Sequence, residues 1–367
     1  MHEDDAQWMR VALTLGARGA GKCWPNPAVG CVIVKDGLVL GRGHTQAGGR
    51  PHAETQALTQ AGDAAQGATA YVSLEPCNHH GQTPPCSQAL IAAGIARVVV
   101  ALRDPDPRTD GGGVQRLRDA GITVQTGVCE GEAAHAHRGF VQRILTGRPQ
   151  LTLKLATSFD GRIATATGES RWITGPQARR VVHAMRLRHD ATLVGGGTAR
   201  ADDPDLTVRD MGASHQPIRV VLSRGLDLPH QGRLAASIAK APLWLVHAKD
   251  APQAARDIWT GLGAELIEIA TDNSGHIDIA ATLQALGQKG LTSVFCEGGG
   301  SLAASLLGHD LVDDLVGFTA GLALGGDARS AIAPMGLEHL SNAPRFHLRS
   351  TRPIGPDVLH EWVRQRS

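Results

Sequence analysis

Aromatic side chains are scarce in this chain: one Tyr, five Phe and six Trp make up 3% of 367 residues. A protein that grips single-stranded nucleic acid by stacking its bases needs more platforms than that. Net charge is nearly absent too, with 36 Lys plus Arg against 35 Asp plus Glu, a formal +1. A broad phosphate-backbone surface needs a concentrated basic excess, so no nucleic-acid partner is expected, although local basic clusters can still hold one small phosphate. No apolar run approaches the roughly 18 residues that would span a bilayer, so no membrane partner is expected either. The first residues, Met1-His2-Glu3-Asp4-Asp5, are acidic and lack the basic-then-apolar pattern of an export signal. The six cysteines (Cys23, Cys31, Cys77, Cys86, Cys129, Cys296) are scattered, unlike a secreted disulfide framework. A soluble protein of the reducing cytoplasm is expected, and there the thiolates stay available.

Hydrophobic residues at 42% and charged ones at 19% give the balance of a globular chain. Its length exceeds one ordinary core and suits two domains, 1–147 and 148–367, with a linker at Thr146-Gly147-Arg148-Pro149 where Gly and Pro interrupt regularity. The first half alternates strands and helices, the pattern of a three-layer α/β fold. Val29 to Val34 reads as a strand, turned at Asp36-Gly37 into a second. A helix begins near His52, Ala70 to Leu74 is a buried strand, and Ser87 to Ala93 is a short helix stopped by Gly94. Strand 97–101, helix 112–120 and strand 122–124 follow. In the second half a new sheet starts at Leu151. Thr174-Gly175-Pro176-Gln177 has capping-box spacing before a helix with Ala178, Val181, Val182 and Met185 on one face. Further strands fall at 191–194, 218–222, 243–246 and 293–296, while 225–290 is otherwise the least informative stretch.

Among these elements His52, Glu54, Cys77 and Cys86 form the constellation with the most chemistry in it. One imidazole and two thiolates hold a zinc ion with a fourth position left for water, and zinc lowers the pKa of that water toward neutrality. Glu54, two residues from the histidine, can move protons between water and a substrate amine, the apparatus of a zinc-dependent nucleobase deaminase. The usual spacing is Pro-Cys-x-x-Cys, whereas eight residues separate Cys77 from Cys86, and His79 and His80 inside the insert are competing ligands. Cys86 is preferred because it follows Pro84-Pro85 and leads into the Ser87 helix, whose positive end is expected to favour thiolate at Cys86.

In the second half Gly298-Gly299-Gly300-Ser301-Leu302-Ala303 follows a strand, opens a helix and matches Gly-x-Gly-x-x-Ala. Backbone amides there can cradle a pyrophosphate. An ordinary dinucleotide fingerprint sits on the first strand of its domain, however, and this one lies near the end.

Pro25 to Val34, Pro51-His52-Ala53-Glu54 and Leu74 to Cys86 closely resemble the deaminase half of the bifunctional riboflavin-biosynthesis deaminase/reductase family. Lys154 to Arg162, Gly168 to Thr174, Ala201 to Arg209 and Glu297 to Gly300 resemble its reductase half. The resemblance spans essentially the whole chain. It implies a cytidine-deaminase-like α/β/α domain followed by a dihydrofolate-reductase-like α/β domain. The implied reactions are zinc-dependent deamination of 2,5-diamino-6-ribosylamino-4(3H)-pyrimidinone 5′-phosphate and NADPH-dependent reduction of its ribosyl chain. Carried over by position, it sets Asn26 and His44 against substrate in the first half. In the second it sets Ala156, Trp172, Thr198, Asp202 and Ser223 on the cofactor, with Gly299, Gly300, Ser301, Leu302, Ala303, Ala304 and Ser305 on its phosphates. It sets Ser170, Arg186, Leu206, Arg209 and Glu297 on substrate. Arg186 and Arg209 suit charge-assisted bonds to a 5′-phosphate. Lys154, Asp202 and Glu297 can polarise a sugar imine or hydroxyl, and Lys154 and Asp202 join Glu54 as catalytic candidates. A homodimer or higher homo-oligomer is the family expectation.

Two other readings predict different features. A deaminase with a non-catalytic nucleic-acid module calls for a basic, aromatic-bearing surface, which the composition opposes. A zinc-stabilised scaffold calls for a fourth protein ligand, whereas three ligands and a well-placed Glu54 are found. A chain with only one active half has no such signature.

Overall fold

A computed structural model describes residues 4–81 and 84–365. Its backbone falls into two compact units, 1–148 with 290–292, and 149–289 with 293–367.

The first unit is built on strands β1 (Gly30–Lys35), β2 (Leu38–His44), β3 (Thr69–Val72), β4 (Arg97–Val100) and β5 (Thr123–Thr126), in the order β2-β1-β3-β4-β5. β1 pairs antiparallel with β2 and β3, while β3, β4 and β5 run parallel. Side chains alternate across a strand, so each face needs its own cover. Cys31, Ile33, Ala70, Val72, Val98 and Val100 pack against helices α2 (Ala53–Ala61), α3 (Cys86–Ala92) and α4 (Gly112–Asp119). Val32, Val34, Tyr71 and Val99 pack against α1 (Asp5–Gly16), with Ala133 of α5 (Glu130–Thr146). The result is the three-layer α/β/α arrangement. α2 lies so close on β2 that a Cβ at Gly41 would stand 2.1 Å from the Ala57 carbonyl oxygen, and one at Gly43 2.3 Å from that of Ala53. Glycine at both positions thus sets the seat of the helix that starts just after His52.

The second unit carries a nine-stranded sheet in the order β11-β10-β9-β8-β12-β6-β13-β16-β15. In chain order these are β6 (Gln150–Ser158), β8 (Ala191–Gly195), β9 (Ile218–Leu222), β10 (Leu243–His247), β11 (Glu265–Glu268), β12 (Ser293–Cys296), β13 (Asp314–Ala320), β15 (Phe346–Ile354) and β16 (Asp357–Arg364). Short strands β7 (Arg162–Ala164) and β14 (Arg329–Ser330) pair separately. From β11 to β13 every pairing is parallel; β16 and β15 close one edge antiparallel. Connections run through α6 (Pro176–Arg188), α7 (Gly196–Asp202), α8 (Arg233–Ala236), α9 (Gln253–Gly261), α10 (Ile279–Gln288) and α11 (Gly300–Gly308). The chain steps outward from β8 to β11 and returns to insert β12 between β8 and β6. That reversal leaves a crevice beyond the carboxyl ends of the strands, where open α/β sheets bind ligands.

The capping box expected at Thr174 does not form. Gly175 is the N-cap of α6, without a side-chain cap bond, and its N–H donates to Asp357 Oδ2 at 2.7 Å. Pro176 does occupy the first turn, where its missing N–H costs nothing.

Candidate active sites

In the first unit the C-terminal end of β3 and the starts of α2 and α3 bring three metal-ligating side chains together. His52 is the N-cap of α2, and Glu54 sits in its first turn. The Nδ1 of His52 lies 3.6 Å from Cys77 Sγ and 3.3 Å from Cys86 Sγ. A tetrahedral zinc with ordinary Zn–N and Zn–S bonds sets nitrogen and sulfur about 3.6 Å apart. All three ligand atoms fall within 4.8 Å of one another, and His79 and His80 lie outside the cluster. These residues fit zinc, and the competing imidazoles are set aside.

The two sulfurs differ in their surroundings, although a bound zinc would hold both as thiolates. The Cys86 N–H, at the start of α3, points at its neighbour and donates to Cys77 Sγ at 3.3 Å. Hydrogen bonding from Cys86, together with that from His52, brings Cys77 down to about 4. Cys86 moves the other way, because it is bonded to Cys77 and deeply buried. The helix end therefore acts on the sulfur its amide reaches, not on the sulfur attached to its own first residue.

Glu54 is buried, and burial pushes it up to about 7, although His52 pulls in the opposite direction. A carboxyl near neutrality can both accept and return a proton. Asn26 Nδ2 lies 2.9 Å from the Gly49 carbonyl oxygen and 3.2 Å from His52 Nε2. Asn26 thus sits beside a metal ligand, at the position the resemblance sets against substrate. His44, at the end of β2, has its Nε2 3.2 Å from Gln46 Nε2; burial and the charges of Arg18 and Lys22 lower its pKa.

Three carboxylates near this cluster were given no role on sequence grounds. Glu75 is buried and accepts from the N–H groups of Asp104, Gly111 and Val114 at 3.3, 3.1 and 3.0 Å, tying the β4–α4 loop and the first turn of α4 to the segment that delivers Cys77. Burial pushes Asp104 up to about 6, while hydrogen bonding to Arg108 holds Asp106 down. The available signal was the repeated Asp-Pro of Asp104-Pro105-Asp106-Pro107 directly after a strand.

In the second unit a cleft of ≈1850 Å³ opens at the carboxyl ends of β6, β8, β9 and β12. Small-ligand pockets are typically about 300–1,000 Å³, so this one has room for two molecules. Every residue of the second half singled out above lines it except Ala303 and Ala304. Ala303 is wholly buried, pointing from α11 into the core. The cradle is therefore the first turn of α11, where N–H groups have no partner within the helix. Gly299, its N-cap, has φ 99°, and a Cβ there would stand 2.9 Å from Thr198 Oγ1; one at Gly300 would stand 2.9 Å from the Ser330 carbonyl oxygen. A backbone cradle closed to side chains fits the pyrophosphate of a dinucleotide.

Parallel register sets Cys296 level with Leu153, so the next residues, Glu297 and Lys154, meet at the strand ends. Lys154 Nζ is 4.0 Å from Glu297 Oε2, and Arg186 bonds Glu297 through Nε and the Thr207 carbonyl oxygen through Nη1 at 2.8 Å. Burial alone would raise Glu297, but the charge and hydrogen bond of Arg186, with Lys154, hold it below its ordinary value. Burial, with Arg186 nearby, lowers Lys154. Arg209 pairs with Asp205 at 2.7 Å, and the Asp202 carboxylate is 4.0 Å from Arg171. Trp172 is 68% exposed on the cleft wall, with the Arg179 guanidinium 4.3 Å from its ring centre. Ser223 is buried and donates to Asp227 at 2.9 Å. Leu206 is buried as well; its side chain packs with Val221 and Leu234, so it can present only main chain to the cleft, at φ 55°.

The fold and the two sites together define an enzyme with a zinc-binding deaminase unit and a second, cofactor-binding α/β unit. Residues 2–102 match the cytidine and deoxycytidylate deaminase zinc-binding region, and residues 149–360 match the RibD C-terminal domain. The chain is 42% identical to riboflavin biosynthesis protein RibD of Escherichia coli K12, over 97% of this chain and 98% of that one. It is 37% identical to the RibD of Aquifex aeolicus, over 98% of each. Among solved structures, Acinetobacter baumannii RibD (form 1) superposes with a TM-score of 0.89 at 38% identity, covering 99% of both chains. A diaminohydroxyphosphoribosylaminopyrimidine deaminase/5-amino-6-(5-phosphoribosylamino)uracil reductase of Thermotoga maritima does so at 0.86 and 33%, again over 99% of each. The chain belongs to the RibD family, with a cytidine-deaminase-like first unit and a dihydrofolate-reductase-like second.

Proposed function

We propose that this chain catalyses two successive steps of riboflavin biosynthesis on one 5′-phosphorylated scaffold. Residues 1–147 carry the first and residues 148–367 the second. The first replaces the 2-amino group of 2,5-diamino-6-ribosylamino-4(3H)-pyrimidinone 5′-phosphate with oxygen, consuming water and releasing ammonia. The second reduces the ribosyl chain of that product to give 5-amino-6-ribitylaminouracil 5′-phosphate.

When bound, zinc supplies a Lewis acid that makes water nucleophilic near neutral pH. His52, Cys77 and Cys86 hold it. Glu54 passes one proton of the water to a ring nitrogen and the second, from the hydroxyl left on the carbon, to the departing amine. His44 meets the substrate; Asn26 does so beside His52. When bound, NADPH supplies hydride. The amides of Gly300, Ser301 and Leu302 hold its phosphates, with Ala156, Trp172, Thr198, Asp202, Ser223, Gly299 and Ser305 lining its path. Arg186, Arg209, Ser170, Glu297 and the Leu206 main chain bind the ribotide. Lys154, which burial makes readier to release a proton, donates to the sugar; Asp202 sits at the rim as the alternative donor. We place the enzyme in the cytoplasm, since no described helix is long and apolar enough to cross a membrane. We also propose a homodimer or higher homo-oligomer, because Leu348 of the edge strand β15 and Val358 of its neighbour β16 leave apolar surface exposed.

What carries this reading is one chain holding both a zinc-spaced cluster beside a buried carboxyl and a glycine-cradled cleft large enough for a dinucleotide and a ribotide. The test is to supply the diaminopyrimidine ribotide and follow ammonia and NADPH absorbance together. Glu54→Gln should abolish ammonia release yet keep zinc and the NADPH-dependent reduction of already deaminated substrate. Ammonia release at the wild-type rate in that variant removes Glu54 from the mechanism.

A further inference from the structure

Arg219 lies on β9, is fully buried, and makes no hydrogen bond to a carboxylate among the described residues. A buried guanidinium without such a partner is costly, so its four hydrogen bonds call for a reason. Nη1 reaches the Asp205 and Leu234 carbonyl oxygens, each at 3.2 Å, and the Ser237 hydroxyl at 2.6 Å; Nη2 reaches the Ala241 carbonyl oxygen at 2.6 Å. Nε finds no partner among the described residues. Burial pulls the pKa down to about 10, which leaves the group charged at neutral pH.

The Asp205 carbonyl belongs to a segment that would not hold its shape unaided. Asp203 and Leu206 have positive φ, 40° and 55°, in positions where a side chain strains the backbone. The front of the segment has its own anchors. The Asp203 carboxylate accepts from the N–H groups of Arg233 and Leu234 at 2.7 and 3.2 Å, and Arg233 Nη2 donates to the Asp202 carbonyl oxygen at 2.6 Å. The back of it carries Leu206 and Arg209; Arg186 holds the Thr207 carbonyl and Gln216 the N–H and carbonyl of Val208, while Arg219 grips the carbonyl immediately before Leu206.

We propose that Arg219 is a positioning residue for the reductase half, fixing through the Asp205 carbonyl the backbone that presents Leu206 and Arg209 to the ribotide. The proposal rests on the reading that those two residues touch substrate. It assigns the arginine no contact with substrate or cofactor. The Asp202 carbonyl is held by the Arg233 side chain, which Arg219 does not touch, so loosening Arg219 weakens the ribotide more than NADPH. Lysine does not replace it, since an ammonium cannot span acceptors on two segments with the fixed fork of a guanidinium.

The experiment uses the full-length zinc enzyme with Arg219→Lys, the deaminated ribotide as substrate, and ammonia release as a check on the other unit. The expected result is a ribotide KM raised at least tenfold, with kcat and the NADPH Kd within about threefold and ammonia release unchanged. A ribotide KM within twofold of wild type overturns the proposal, and so does an equal loss of affinity for both ligands, which is what general loosening would give. If Arg219→Lys does not yield folded protein, Ser237→Ala keeps the arginine and removes one of its partners. A two- to fivefold rise in ribotide KM at unchanged NADPH Kd then supports the assignment, and no change overturns it. Arg209→Ala, run alongside, separates two kinds of failure. If it too leaves the ribotide KM unchanged, the substrate reading of the loop has failed and the proposal falls with it. If it raises KM while the Arg219 and Ser237 variants do not, the positioning role alone is overturned.

Discussion

Gly43→Ala adds one methyl group at the point where β2 and α2 touch. The new Cβ would stand 2.3 Å from the Ala53 carbonyl oxygen, 2.9 Å from the Ala57 nitrogen and 2.9 Å from the Gln56 Cβ. Two of these neighbours are helix backbone, so no rotamer change relieves them. An ordinary carbon–oxygen contact needs about 3.2 Å or more, which obliges the first turn of α2 to retreat by about 1 Å. Overpacking of this kind costs about 1–3 kcal/mol, or roughly 2–10 °C of Tm for a unit this size. The functional cost is larger, because the displaced turn is capped by His52 and carries Glu54. A 1 Å misplacement of a reacting group lowers rate by about 100-fold. The assay compares ammonia release, zinc content and NADPH-dependent reduction in the same preparation, with the reductase half as internal control. Ammonia release should fall about 100-fold with reduction unchanged. Wild-type ammonia release at an unchanged Tm would refute the claim that the seat of α2 sets the geometry of this site.

His137 of α5 is buried, with its Nε2 3.1 Å from Ser73 Oγ. Burial lowers His137 from 6.5 to about 4, so the unfolded chain takes up a proton that the folded one refuses; stability is full above pH 6.5 and declines as pH falls toward 4. Between pH 7 and 5 the loss is about 2 kcal/mol, and His137→Phe should flatten that part of a urea-unfolding series; an identical slope in the variant would exclude His137 as its source. Lys154→Met should lower the reductase kcat at least about 100-fold with ammonia release intact, read from NADPH absorbance; a kcat within threefold would transfer the proton-donor role to Asp202. Gly299→Ala, forced against Thr198 Oγ1 from a backbone at φ 99°, should weaken NADPH roughly tenfold by fluorescence titration, and unchanged affinity would remove the cradle from cofactor binding.

Sequence patterns revealed those elements that bury one face continuously, and hid those that do not. The strands around Ile33, Val99, Val220 and Val294 carry short apolar runs, and α6 has its apolar residues at helical spacing, so these were legible. α5 was not read. Its buried side includes His137, and an imidazole in the middle of an otherwise apolar stripe hides the period. α1 was missed for another reason: Met9, Ala12 and Leu15 have the right spacing, but the acidic start had been considered only as a targeting signal. β15 is exposed along most of its length, its neighbour β16 is mostly half-buried, and Phe346 to Ile354 alternates too weakly to stand out.

At the sites, sequence named the residues better than it named what they do, because a motif fixes identity and spacing but leaves direction open. Ala303 belongs to the glycine-rich motif, yet a helix turns by about 100° per residue, so the position after Leu302 faces the core. Leu206 has its side chain inside and its main chain toward the cleft because φ is positive there, and no pattern of residue types announces that. Cys86 starts the helix, but the amide that starts a helix points away from its own side chain and toward whatever precedes it, which is Cys77. The same logic makes Arg219 invisible in sequence. It sits inside an apolar strand, Ile218-Arg219-Val220-Val221-Leu222, where a charged residue would ordinarily be assigned to the solvent face. Its neighbours supply the reason it faces inward: the carbonyl at 205 and those at 234 and 241 converge from two segments, and only a long planar donor anchored in the sheet can reach them all.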